Sequence, residues 1–162
     1  MEAKKSRNSF PLIVNGCRII AMAEDKILKE AKDHGDIYEA LIIFRDLTEI
    51  DNSGGTMDFK KLQNFFNDLI LPHFKNEEDD IFPVIVKSGT DAERAIVDEL
   101  KSEHIHMSKE IERFDHAVGW AAEADAEKLK EIVRPLLWQL LKHAHKEDEF
   151  IFPCLKKYPA AS

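Results

Sequence analysis

The chain has 162 residues, 44% of them apolar and 33% charged, with a formal net charge of −8. That length suits a single domain with a sizeable core, and the acidic balance argues against a nucleic-acid partner, whose phosphates call for a basic surface. No apolar run approaches the roughly 20 residues that a membrane helix needs, and the stretch Phe10–Cys17 is interrupted by Pro11, Asn15 and Gly16, which makes it a poor signal core; a cytoplasmic protein with no membrane partner is expected.

In chain order, residues 1–24 read as an N-terminal tail and arm, and residues 25–158 as one domain. A first helix is expected from Asp25, a plausible N-cap, to about Ile50, with Ile27, Ala31, Ile37, Leu41 and Phe44 at helical spacing and His34 on the same stripe. Asp51-Asn-Ser-Gly-Gly55 has the chemistry of a loop. A second helix follows from about Met57 to Lys87, with Leu62, Phe66, Ile70, His73, Glu77, Ile81 and Val84 on one face and a kink expected at Pro72. Thr90-Asp-Ala-Glu93 is a capping box that opens a third helix carrying Val97, Leu100, His104, Met107, Ile111 and Phe114 and ending near Gly119. The fourth helix starts around Ala124–Glu127 and reaches Tyr158, with Ile132, Leu136, Leu140, His143, Glu147 and Ile151 as its stripe, a kink expected at Pro135, and Pro159 closing it. Cys17 and Cys154 lie far apart without metal spacing and read as reduced thiols.

One phrase occurs twice. His73-Phe-Lys-Asn-Glu77-Glu78-Asp-Asp-Ile81-Phe82-Pro83 returns 70 positions later as His143-Ala-His-Lys-Glu147-Asp148-Glu-Phe-Ile151-Phe152-Pro153. His34 and His104 keep the same offset, as do Ile37 with Met107, Leu41 with Ile111, Phe44 with Phe114, and Ile70 with Leu140. The fold class that follows is all-α, an up-down-up-down antiparallel four-helix bundle built from two copies of one hairpin, with an internal two-fold pseudo-repeat and an N-terminal arm.

A single His on an apolar stripe is most often a satisfied core residue, and a single His-x-x-x-Glu is most often a surface pair. Six such groups in register on four apolar stripes are a different matter. His34, His73, His104 and His143 with Glu77 and Glu147 would all point at the bundle axis, where buried polar groups need partners. Two metals bridged by the two carboxylates would satisfy them, and nitrogen-rich ligation without thiolate suits iron, with manganese or zinc as alternatives. His106, His116 and His145 fall off these stripes and read as solvent-facing.

The pattern His34 … His73-x-x-x-Glu77 … His104 … His143-x-x-x-Glu147, with Phe-Pro after each Glu, resembles the hemerythrin-like (HHE cation-binding) domain family over about residues 25–158. The resemblance implies a non-haem di-iron centre in a four-helix bundle. His34 and His73 would hold one iron and His104 and His143 the other; Glu77 and Glu147 would bridge them together with an oxo or hydroxo group. Two departures stand out. The oxygen carriers of the family have a further His one turn after the third-helix ligand, where this chain has Ser108. Their fourth-helix carboxylate is an Asp five residues after its His, which here is Asp148, although Glu147 fits the repeat better. The expectation is binding of a small diatomic ligand, O2 or NO, or of peroxide, for sensing or storage rather than bulk oxygen transport. A peroxidase- or catalase-like enzyme and a metal-gated interaction module are the alternatives. Tyr38, one turn after His34 and matched by Ser108 in the repeat, is placed either beside the metals or in the surrounding packing.

Overall fold

The computed structural model describes residues 34–46, 58–120 and 126–158. Among these there are four helical runs and no strand: α1 (residues 34–46), α2 (residues 59–88), α3 (Asp91–Trp120) and α4 (Ala126–Lys157). The N-terminal arm, the start of the first helix and the Asp51–Gly55 loop lie outside the described residues.

Cross-helix contacts give the directions. His34 meets His73 and Phe44 meets Phe65, so α1 and α2 are antiparallel. Asn67 bonds Asp115 and His104 bonds Glu78, which sets α2 against α3 in the same sense. Glu93 near the start of α3 receives Lys157 and Tyr158 at the end of α4, and Tyr38 meets Asp148 while Arg45 lies over Trp138, closing α1 against α4. The result is the up-down-up-down bundle that the hairpin repeat implies.

The second helix departs from expectation in an instructive way. It is not a single α-helix kinked at Pro72. Two π turns, Phe66–Ile70 and Glu77–Ile81, interrupt it, and each ends just before the X-Pro pair that opens the next α segment, Leu71-Pro72 and Phe82-Pro83. A proline ring collides with the carbonyl four residues back; widening that turn to five residues moves the carbonyl aside, and the Leu71 and Phe82 amides bond Phe66 and Glu77 instead. The extra residue per turn shifts the buried face by one position. Ile85 is therefore buried, at 1% exposure, where unbroken helical spacing pointed to Val84, which is only partly buried. In α4, by contrast, Pro135 and Pro153 lie within one continuous α-helix.

The capping box forms as read. Thr90 N–H donates to Glu93 Oε2 (2.7 Å) and Glu93 N–H donates to Thr90 Oγ1 (3.3 Å), satisfying two amides at the start of α3. Glu93 also accepts from Lys157 Nζ at 3.0 Å and Tyr158 Oη at 2.8 Å, so one carboxylate ties the start of α3 to the end of α4. These donors, the Thr90 amide first, hold it well below the usual carboxylate range.

The core falls into two apolar clusters. One joins Ile37, Leu41, Phe66, Ile70, Phe74, Met107, Ile111, Phe114 and the α4 residues from Leu129 to Leu140. The other joins Ile81, Phe82, Ile85, Val97, Leu100, Ile151, Cys154 and Leu155. On α2, α3 and α4 the recurring His and Glu residues sit between the stretches that feed these clusters, so a polar layer lies between two dry ones. Repeat partners are buried alike: Ile37 with Met107, Leu41 with Ile111, Ile81 with Ile151, and Ile85 with Leu155.

Gly89, between α2 and α3, tests how tightly that turn is built. A Cβ there would lie 2.5 Å from the Ile85 carbonyl oxygen, whereas at Gly119 it would meet nothing within 4 Å. Urea denaturation should show Gly89→Ala destabilising by roughly 1–3 kcal/mol, the usual range for overpacking, while Gly119→Ala is neutral or stabilising.

Candidate metal centre

Each of the six residues singled out by the repeat is buried: His34 3%, His73 6%, Glu77 0%, His104 2%, His143 4% and Glu147 0% exposed. The i,i+4 spacing of His73 with Glu77 and of His143 with Glu147 stacks each pair on the inner face of its helix, while α1 and α3 contribute one imidazole each.

All four rings turn Nε2 toward the carboxylates. His34 Nε2 lies 3.9 Å from Glu77 Oε1 and 3.6 Å from Glu147 Oε2, and His73 Nε2 lies 3.7 Å from Glu77 Oε2. His104 Nε2 is 3.4 Å from Glu77 and 3.5 Å from Glu147. His143 Nε2 is 2.8 Å from Glu147 Oε1. The donor atoms form two groups, His34, His73, Glu77 and Glu147 in one and Glu77, His104, His143 and Glu147 in the other, with all atoms of a group within 4.8 Å of one another. Both groups contain both carboxylates, the arrangement expected of groups that bridge.

The electrostatics call for positive charge at this point. The four carboxylate oxygens of Glu77 and Glu147 are buried and accept no hydrogen bond, a costly state for two anions in an apolar interior. Burial by itself lifts Glu147, but His104 and His143 outweigh it and hold its carboxyl well below the usual range. Burial likewise pulls the His104 imidazole down, and Glu147 and Glu77 more than reverse this, pushing it up to about 10. The Nε2 atoms of His104 and His143 are 2.8 Å apart, although the opposite nitrogen of each ring already carries a proton toward a carboxylate. At that distance a proton is shared between the two Nε2 atoms, and a metal cation could take its place. Imidazole and carboxylate donors that converge in this way fit divalent transition metals.

Behind the rings stands a set of carboxylates, of which the sequence pointed only to Asp148 and left Glu78 and Glu103 unassigned. His34 Nδ1–H donates to Asp148 Oδ1 (2.7 Å), His104 Nδ1–H to Glu78 Oε1 (2.9 Å) and His143 Nδ1–H to Glu103 Oε2 (2.6 Å). Each bond fixes a tautomer with Nε2 free to face inward, and raises its basicity as a ligand. Glu78 and Asp148 are repeat partners, each following a buried Glu, and each reaches across to a neighbouring helix. That regularity was the available signal. Asp33 stands at the position equivalent to Glu103 and lies outside the described residues.

Two sequence expectations are sharpened by this arrangement. Asp148, the alternative ligand, belongs to neither donor group and turns its carboxylate to the back of His34. Tyr38 donates its hydroxyl to Asp148 Oδ2 at 2.9 Å. Burial, and then the bond to Asp148, push the phenol well above its usual range, so it acts as a neutral donor that steadies Asp148. His106, His116 and His145 are exposed.

Aromatic rings complete the walls. Phe74 stacks on His104 at 4.0 Å between centroids, with Phe82 on the ring at 5.6 Å. Phe152, the repeat partner of Phe82, packs against His34 at 5.4 Å. If this cluster takes a cation, a divalent metal added to the metal-free protein at 100 times its Kd should raise the unfolding free energy by about 2.7 kcal/mol. Glu77→Gln should abolish that gain in a thermal-shift titration.

A model of the family described as hemerythrin HHE cation binding domain matches residues 26–121 and again residues 95–162. The second match begins 69 residues after the first, close to the offset at which the ligand pattern recurs. Comparison with curated proteins and with solved structures gave no match. With matches that cover most of the sequence, and with the family's His and Glu pattern gathered in the interior of a helical bundle, the chain belongs to the hemerythrin HHE cation-binding domain family.

Proposed function

We propose that this protein binds O2, NO or peroxide at a di-iron centre bridged by Glu77 and Glu147, and that it serves in sensing or storage rather than bulk oxygen transport. The observation that carries this reading is the pair of donor groups sharing both carboxylates. In each group two imidazoles are joined by carboxylates, a donor set that suits non-haem iron and leaves room for a small ligand. His34 and His73 would hold one metal, His104 and His143 the other.

When bound, the metal pair would supply affinity for a diatomic ligand or peroxide. The chain's own residues do the rest. Asp148, Glu78 and Glu103 keep protons on Nδ1 and so present Nε2 inward. The two apolar clusters and the rings of Phe74, Phe82 and Phe152 keep bulk water from the polar layer. Ser108 stands where an oxygen carrier has a further imidazole, which argues against transport. The one phenol near the centre, Tyr38, bonds Asp148, which favours binding over acid–base catalysis.

The optical spectrum of the iron-loaded protein tests this reading directly. Reduced protein exposed separately to O2, NO and peroxide should give a distinct charge-transfer spectrum with at least one of them, and His73→Ala should remove it. An aerobically purified protein without iron, whose spectrum is unchanged by His73→Ala, would sink the reading. Sustained steady-state turnover of peroxide would move the assignment to a peroxidase- or catalase-like enzyme. Loss of helicity on chelation, with no ligand response, would move it to a metal-gated module. Tyr38→Phe should leave iron stoichiometry intact, because its hydroxyl acts on Asp148.

A further inference from the structure

The repeat makes the two ends of the centre alike in their imidazoles and carboxylates, so the places where it fails are informative. One failure lies directly behind His143. Glu103 accepts from His143 Nδ1 at 2.6 Å with one oxygen and from Lys146 Nζ with the other. Lys146 also donates to Glu99 Oε1 at 2.7 Å. Glu99 and Glu103 are one helical turn apart on α3, and His143 and Lys146 nearly so on α4, so the four side chains form a ladder between the helices. Glu103 and Lys146 are only 33% and 26% exposed at the side chain, which keeps their interaction stronger than that of an open surface pair. A groove of about 520 Å³ runs along this ladder, with His143 and Met107 among its lining residues.

In the first half of the repeat, the position of Lys146 is occupied by Asn76, which carries no charge. Asp148, behind His34, shares its charge with the neutral phenol of Tyr38. A carboxylate behind an imidazole makes the ring a better donor, and an ammonium on that carboxylate withdraws part of the effect. Resting on the reading of His143 as a metal ligand, we propose that Lys146 is a positioning residue acting through Glu103. By this device the His104–His143 end holds its metal more weakly than it would behind a Glu103 free of the ammonium.

Cobalt(II) titration of the metal-free protein, followed by visible absorption, tests this without relying on activity. Glu103→Gln should weaken binding of one of the two ions by about 10-fold or more, as loss of such a carboxylate usually does. Lys146→Met should shift the same ion the opposite way, tightening it, while Lys146→Arg, which keeps the charge, stays close to wild type. A Lys146→Met protein weakened in the same direction as Glu103→Gln would mean that Lys146 only props Glu103 in place, and would overturn the inference. So would an affinity that Lys146→Met leaves unchanged. His143→Ala separates the two levels: it should remove one of the two ions, and two ions bound unchanged would overturn the ligand reading on which the inference rests.

Discussion

Two carboxylates without hydrogen bonds, Glu77 and Glu147, sit at the centre of this bundle, and the rest of the structure is arranged around their demand for positive charge. Burying one such anion unpaired is strongly destabilising, and burying two close together more so. Four imidazoles turned inward, three of them with protons fixed on the outer nitrogen by carboxylates, create a place where a cation removes that penalty. The fold then becomes a means of holding donors that would otherwise repel or hydrate.

The doubled phrase distributes this work along a single helical stretch. In each copy the His and the Glu four residues on face inward; the acid after the Glu reaches to the back of a His on another helix; and the Phe of Ile-Phe-Pro packs on that same ring. Thus Glu78 and Phe82 both act on His104, and Asp148 and Phe152 both act on His34. The two hairpins are interlocked through these contacts, since each copy of the phrase orients the lone imidazole of the helix beside it. A substitution in one helix is therefore felt by a ligand on the next.

Much of this was legible in the sequence. Helical spacing and the 70-residue offset identify most buried residues of α2, α3 and α4, with Ile85 and Val133 buried where the spacing pointed to Val84 and Ile132, and the capping box at Thr90–Glu93 marks the start of α3. The ligand candidates stand out because a polar residue on an apolar stripe is costly, and six of them in register are hard to explain otherwise. What was hidden depends on geometry between helices. Asp148 could be read as a ligand because it adjoins Glu147; only the relative rotation of α1 and α4 shows its carboxylate behind His34. Glu103 and Lys146 look like ordinary surface charges until α3 and α4 are set side by side. The replacement of Val84 by Ile85 in the core was hidden for a local reason, a π turn that no hydrophobic pattern announces and that the Phe-Pro pair alone does not dictate, since Pro153 sits in a regular helix.

The proposed bridging of two metals by Glu77 and Glu147 is open to direct measurement. Mössbauer spectroscopy of protein loaded with isotopically enriched iron addresses it most directly. Two irons per chain are expected, magnetically coupled through the shared carboxylates, with the coupling lost in Glu147→Ala. A single iron per chain, or two that behave as isolated paramagnets, would contradict it.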